Sequence, residues 1–296
     1  MNLNKEICGE DENKKCDKLI KRYLLRGKKF VDYACFQYGA YNATISGKAD
    51  EHFIDDFQYF VFTKSTKSLE AIRTLLKNEK YEDVLIILRS MFEGYLASRF
   101  IDEKYDRKLL DEFIFLPQLI TENKAYYDFH NKSYHLKDTK QTLDYKQRKP
   151  SEMKLGKDKK YYRALYDYLC LFSHCNYAIL PHYIDENGCF DCDIKMNTFM
   201  VKILVLFTYT KIFESIVTVE GEDFLNEREE KECYKLVKDA TIYLDSKLKD
   251  LENYNSPGAN TELNNKMKKM FTEMRQSLKE KIGSVNKDFW KITNNE

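Results

Sequence analysis

A chain of 296 residues, 43% hydrophobic and 33% charged, is long enough to enclose a real core and ordinary in make-up for a globular protein. A formal net charge of +1 excludes any partner argued from bulk charge, so electrostatic arguments must rest on local clusters. Only 4 prolines and 10 glycines exclude a turn-rich all-β protein and favour long helices. The fold expected is all-α: a bundle of about eight to ten helices with antiparallel long helices and a C-terminal helical extension.

Residues 14–29 interleave eight lysines and arginines with Leu19, Ile20, Tyr23, Leu24 and Leu25, an amphipathic helix with a basic outer face. That face reads first as solvated and second as a nucleic-acid surface. An aromatic-rich stretch follows at 30–41, and 42–50 reads as a break. From 52 to 77, the spacing of Phe57, Val61, Leu69, Ile72 and Leu76 predicts a long helix, and Asn78-Glu-Lys80 turns it into the next. Two long helices joined by so short a link are expected to lie antiparallel.

The helix after that turn, 83–99, organises the chain. Leu85, Leu88, Phe92 and Leu96 form its apolar face, thickened by Val84, Ile87 and Met91, yet Arg89 and Glu93 emerge from one side a turn apart. Such a pair reads either as a register-fixing ion pair or as part of a site. Residues 103–130 are predicted to continue as helix, with Pro117 marking a kink or a fresh start. Residues 131–160 then carry ten Lys or Arg against four acids, a loop or loosely packed segment that delivers positive charge. A helix over 161–180 ends at Pro181 and carries His174, with Cys170 and Tyr177 on the histidine's face.

Beyond it, 185–193 is an exposed turn or small hairpin around Gly188, and 197–219 an apolar helix. Lys202, Lys211 and Glu214 interrupt that helix, so it reads as a core helix whose lysines snorkel out at its edges, not as a membrane span. Acids at 220–232 open a helix running to Leu251. Residues 253–260, with Pro257-Gly258, form the best linker, and Met267, Met270, Phe271, Met274 and Leu278 mark a last polar helix over 266–291. The domains expected are therefore a bundle over 1–252 and a C-terminal helix over 261–296.

Eight scattered cysteines follow an N-terminus that runs into charge without an apolar stretch, so reduced thiols and a cytoplasmic location are expected. Cys189-x-x-Cys192, with His182 or Cys175 nearby, is a single pair where a structural zinc site wants two, so no metal or other cofactor is expected. No phosphate-binding glycine loop, nucleophile elbow or His-Glu-x-x-His occurs, which leaves kinase, hydrolase and zincin chemistry without support.

Arginine and histidine together suit another chemistry. Cleavage of a phosphodiester by its neighbouring 2′-hydroxyl needs a proton acceptor and a clamp on the developing phosphorane charge, and no metal. Arg89 supplies the clamp, His174 the proton transfer, and Glu93 the orientation of either. The other reading is a buried polar network of the same three residues that fixes helix register in a non-catalytic interaction protein.

Leu88-Arg-Ser-Met-Phe-Glu93 with the later Tyr168-Leu-Cys-Leu-Phe-Ser-His174 resembles an uncharacterised bacterial domain-of-unknown-function family, over roughly residues 50 to 220. That family has a Leu-Arg-Ser-x-x-Glu helix and a later Leu-Ser-x-x-x-His helix; Cys170 stands at the second motif's serine. The family resembles the all-helical HEPN superfamily, many of whose members are metal-independent RNases of toxin and phage-defence systems. HEPN nucleases carry Arg-x(4–6)-His on one helix. No such spacing occurs here, Arg163 lying eleven residues before His174, so carrying the nuclease role over needs the arginine to come from a different helix, as Arg89. The resemblance implies RNA binding and cleavage by Arg89, Glu93 and His174, a homodimer, and no membrane partner. Lys146, Arg148, Lys149, Lys159, Lys160 and Arg163 would then hold the RNA backbone.

Overall fold

The computed structural model describes residues 9–33, 53–104, 107–146, 148–153, 159–174, 176–185, 187–192, 196–220, 227–255 and 261–284. The break at 42–50, most of the aromatic stretch at 30–41, the linker from 256 and the chain beyond 284 lie outside them. Among the described residues the fold is helical, as expected, with one small sheet. In order come α1 (Glu10–Tyr33), α2 (Phe53–Lys77), α3 (Tyr81–Lys104), α4 (Arg107–Phe113), α5 (Phe115–Thr121), β1 (Ala125–Asp128), β2 (Ser133–Leu136) and β3 (Thr142–Leu143). Then follow α6 (Lys159–Ser173), a 3-10 turn (Tyr177–Tyr183), α7 (Thr198–Glu220), α8 (Glu227–Leu251) and α9 (Thr261–Ser284). The chain divides into two compact units, one of Met1–Ala34, Phe62–Glu93 and Lys157–Glu296, the other of Cys35–Val61 and Gly94–Gly156.

The first unit is built around α7, whose Val201, Ile203, Leu204, Val205, Leu206 and Phe207 are all fully buried. A helix apolar on every side must be enclosed on every side. α1 and α8 pack on α7, and α9 packs on α6 and α8. Tyr23 meets the ring of Phe213 edge-on at 5.1 Å, and Phe30 and Phe62 join the same cluster. Each fully buried ring of this kind contributes about 2–3 kcal/mol from burial, before the edge-to-face term. Gly27 lets α1 come close: a Cβ there would collide with the Tyr209 hydroxyl, which shares a 2.6 Å hydrogen bond with Thr66.

The two lysines of α7 differ. Lys202 snorkels to Asp17 at 2.8 Å as expected, but Lys211 stays inside at 2% exposure, over the rings of Tyr161 and Phe207 and 3.9 Å from Glu214. Aromatic faces and one carboxylate make that burial tolerable. No described helix is long and apolar enough to cross a membrane. The basic face of α1 is partly paired: Lys15, Lys18 and Lys21 are exposed, whereas three of its cations meet acids. Arg22 bonds Asp239 at 3.1 Å, Arg26 meets Glu232, and Lys29 meets Glu229, all on α8. The acids opening α8 and the cations of α1 are two halves of one seam.

In the second unit α5 starts afresh after a turn at Ile114, with Pro117 inside its first turns. The helix expected to run to 130 stops at Thr121. Asn123 takes φ 60°, a left-handed turn, and β1–β2–β3 follow as an antiparallel meander with Ala125 opposite Leu136 and Tyr134 opposite Leu143. The basic stretch is therefore partly strand rather than loop, and Lys132 and Lys140 occupy its positive-φ turns. Beyond the last strand it is tied to a buried carboxylate: Glu112 accepts from Arg148 Nε at 2.7 Å and from the Lys146 backbone N–H at 3.1 Å.

Candidate functional site

α3 begins after the turn at Asn78–Lys80, with Glu79 at φ 58°, and packs antiparallel to α2, Val61 lying against Gly94. Its apolar face is buried as the spacing predicts: Val84, Leu85, Leu88 and Phe92 are all inaccessible. Arg89 and Glu93 are not deep in that core. Their side chains are 19% and 32% exposed, at its rim.

α6 ends sooner than expected. It stops at Ser173, and Asn176 starts a separate 3-10 turn by accepting from the Ala178 N–H at 2.9 Å. Proline at 181 marks the inside of that turn rather than the end of a long helix. His174 is thus the first residue beyond α6, free of the helical face, and Tyr177 no longer shares a helical stripe with it.

This short ending brings the imidazole to Arg89. Arg89 Nη1 lies 3.0 Å from His174 Nε2 and also donates to the Ser173 hydroxyl. Nη2 donates to the Tyr166 hydroxyl at 3.3 Å, with the guanidinium 5.5 Å from the Tyr166 ring centroid. Nε donates to Glu93 at 2.9 Å. Glu93 therefore orients the arginine; among the described residues it makes no hydrogen bond to His174. Ser173 and Tyr166 were not singled out by sequence, although 166, 170 and 173 share one helical face and Ser173 adjoins the histidine. With Cys170 at the motif's serine position, the hydroxyl that touches Arg89 comes from Ser173.

Partial burial weighs against the charge of Arg89, but the Tyr166 hydroxyl, with Cys170 and Glu93 nearby, outweighs it and raises its pKa. Burial also raises the Tyr166 phenol and the Cys170 thiol against the pull of Arg89. Both therefore stay protonated and neutral around the guanidinium at ordinary pH. His174 is exposed and lines an open hollow of about 400 Å³ with Ser173, Phe172, Asn176, Tyr177 and Glu82.

The other candidate residues divide between the two units, Lys146, Arg148 and Lys149 in the second and Lys159, Lys160 and Arg163 in the first. Lys146 and Lys149 are exposed, and Arg148 is engaged by Glu112. The side chain of Lys159 lies outside the described residues. Lys160 and Arg163 line a second hollow between α6 and α9, of about 590 Å³, where Arg163 reaches Asp167 at 3.4 Å. Cys189 and Cys192 are exposed and unbridged, and no group of three or more His, Cys, Asp or Glu side chains suited to a metal occurs among the described residues.

Fold and site together define a helical protein with an open arginine–histidine pair. Residues 55–191 match a family of unknown function (DUF5677), so this stretch, which contains Arg89, Glu93 and His174, is similar to an uncharacterised family. Nothing among curated proteins or solved structures matches the chain.

Proposed function

We propose that this is a HEPN-like protein that binds RNA and cuts it without a metal, using Arg89 and His174. The observation that carries the reading is the 3.0 Å contact between a fixed cation and an imidazole nitrogen at an open rim. A guanidinium N–H only donates, so Nε2 of His174 accepts and carries no proton, which leaves the ring's proton on Nδ1. That is the form a general base needs.

In the proposed step a phosphate oxygen takes the place of Nε2 on Arg89. His174 removes the proton of the neighbouring 2′-hydroxyl, its oxygen bonds to phosphorus, and the bond from phosphorus to the 5′-oxygen breaks. The products are a 2′,3′-cyclic phosphate and a 5′-hydroxyl, which takes a proton from water as His174 returns its own to solvent. Arg89 offsets the charge developing on the non-bridging oxygens. Glu93 and Tyr166 act as positioning residues for the guanidinium. Lys146, Lys149, Lys160 and Arg163 attract the backbone through their field. A toxin or phage-defence role and a homodimer belong to the same reading.

One observation favours the non-catalytic alternative: Arg89 already has partners on both α3 and α6, which suffices to fix their register. Incubating the protein with RNA in excess chelator, as wild type, Arg89→Ala and His174→Ala, separates the two. The nuclease reading expects chelator-resistant cutting to cyclic phosphate ends and a loss of about a hundredfold or more in each folded variant. Intact RNA with wild type, and variants that only melt earlier, would leave the register network.

A further inference from the structure

The hollow beside His174 holds groups that the cleavage chemistry does not use. Glu82 lines it, half-buried, with no hydrogen bond or ion pair among the described residues. Tyr177 stands on its rim at 83% exposure, and the buried Phe172 and Ile179 form its apolar side. Glu82 stands in the first turn of α3, where a carboxylate is favoured without a cation, and its oxygens can accept from a ligand's donors. An aromatic ring left in water beside it offers a face for stacking. The hollow, at about 400 Å³, falls in the range of small-ligand sites.

Helical geometry connects this recess to the arginine. Glu82 and Arg89 lie seven residues apart on α3, two turns and about 10 Å along one face. A nucleotide offers the same pair of features in the same order, a donor-bearing base edge at one end and a phosphate at the other. We propose that Glu82 and Tyr177 form a guanine-selective base subsite for the RNA whose phosphate Arg89 binds; the inference rests on the RNA reading of that pair. Guanine alone presents two adjacent N–H donors, N1–H and the N2 amino group, on its Watson–Crick edge, which match the two oxygens of a carboxylate. Adenine and cytosine offer one amino group beside an acceptor, and uracil one N–H between two carbonyls that Glu82 would repel. Tyr177 stacks on any base without choosing among them, so selectivity belongs to Glu82 and general affinity to Tyr177.

The test is titration of the full chain with 3′-GMP, 3′-AMP, 3′-CMP and 3′-UMP, as wild type, Glu82→Gln and Tyr177→Ala, with thermal melting of each. The expected result is tightest binding of 3′-GMP. Glu82→Gln should lower that affinity about tenfold and leave the other three nearly unchanged. Tyr177→Ala should weaken all four to a similar extent, and neither variant should melt earlier by more than a degree or two, since Tyr177 is exposed and Glu82 lies at the open rim. Equal affinity for the four nucleotides, or an undiminished guanine preference in Glu82→Gln, overturns the subsite. The cleavage reading fails separately. RNA cut with no preference for guanine sinks the subsite alone, whereas 3′-GMP selected through Glu82 by a protein that leaves RNA intact sinks the nuclease and keeps a guanine-nucleotide site.

Discussion

Arg148 and Arg89 both carry a positive charge that sequence assigns to nucleic acid, and the protein uses them in opposite ways. Arg148 meets Glu112, whose side chain is fully inaccessible, so its charge is matched at 2.7 Å by a carboxylate that has no other cation among the described residues. Arg89 touches one half-exposed carboxylate and then three neutral acceptors, Ser173, Tyr166 and His174. A cation bound to a buried anion has little field left to offer. A cation whose one carboxylate partner is partly exposed, and whose other partners are neutral, is fixed in place and keeps more of its charge for a ligand. The seam between α1 and α8 belongs with Arg148: Arg22, Arg26 and Lys29 are answered by Asp239, Glu232 and Glu229.

The largest effect should come from breaking the matched pair. Arg148→Ala leaves the Glu112 carboxylate buried with, among the described residues, only the Lys146 N–H for company. Stranding a buried charge in this way costs about 3 kcal/mol, the low end of the range because the Arg148 side chain is 29% exposed. Urea denaturation measures it. A loss below about 1 kcal/mol would mean that water reaches Glu112 and that the contrast with Arg89 is one of degree.

Next in size is a titration that shows how little field the seam has to spare. Cys233 is buried on α8 with Arg26 and Lys29 nearby, yet burial outweighs both cations and pushes its thiol up to about 11. The folded protein thus holds this proton more tightly than the unfolded chain. That stability is fully present below about pH 9 and is lost as pH rises toward 11, by about 2–3 kcal/mol in all. Cys233→Ala should flatten this part of the stability curve relative to wild type. An equal slope in both proteins would assign the alkaline loss to other groups, the buried phenols of Tyr23, Tyr168 and Tyr209 first among them.

Arg89→Ala should cost less than either, about 1 kcal/mol, because Ser173, Tyr166 and His174 are partly or fully accessible and regain water. If Arg89→Ala destabilises as much as Arg148→Ala, Arg89 is a staple and the open-rim argument fails.

Much of this architecture is legible before any coordinates. The apolar stripes of α2 and α3 and the three-residue turn between them define the hairpin, and the all-round hydrophobicity of 197–219 marks it as central. What escapes has a physical cause. The strands of the basic stretch are two to four residues long, too short for alternation to show, and their turns use Asn123, Lys132 and Lys140 at positive φ instead of glycine. The end of α6 was masked because Cys175 to Leu180 keeps an apolar texture, whereas Asn176 capping Ala178 is a local competition that periodicity does not register. For the site, spacing brings Arg89 and Glu93 together because they share a helix. Their meeting with His174 is tertiary, and motif pairing rather than pattern suggested it.

The smallest expected effects test the neutral wrapping itself. Ser173→Ala and Tyr166→Phe each remove one acceptor from Arg89 and leave its charge unchanged, so each should cost about 0.5 kcal/mol of stability. If those acceptors fix where the guanidinium points, cleavage should fall about threefold to tenfold in each, with the loss in turnover and not in RNA affinity. The double variant then discriminates. Groups that act on one shared guanidinium lose less together than the product of their separate losses, whereas independent contacts multiply. Multiplicative losses would mean that Ser173 and Tyr166 contribute by ordinary packing. Arg89 would then be oriented by Glu93 alone, and its likeness to the carboxylate-bound Arg148 would be closer than the geometry around it indicates.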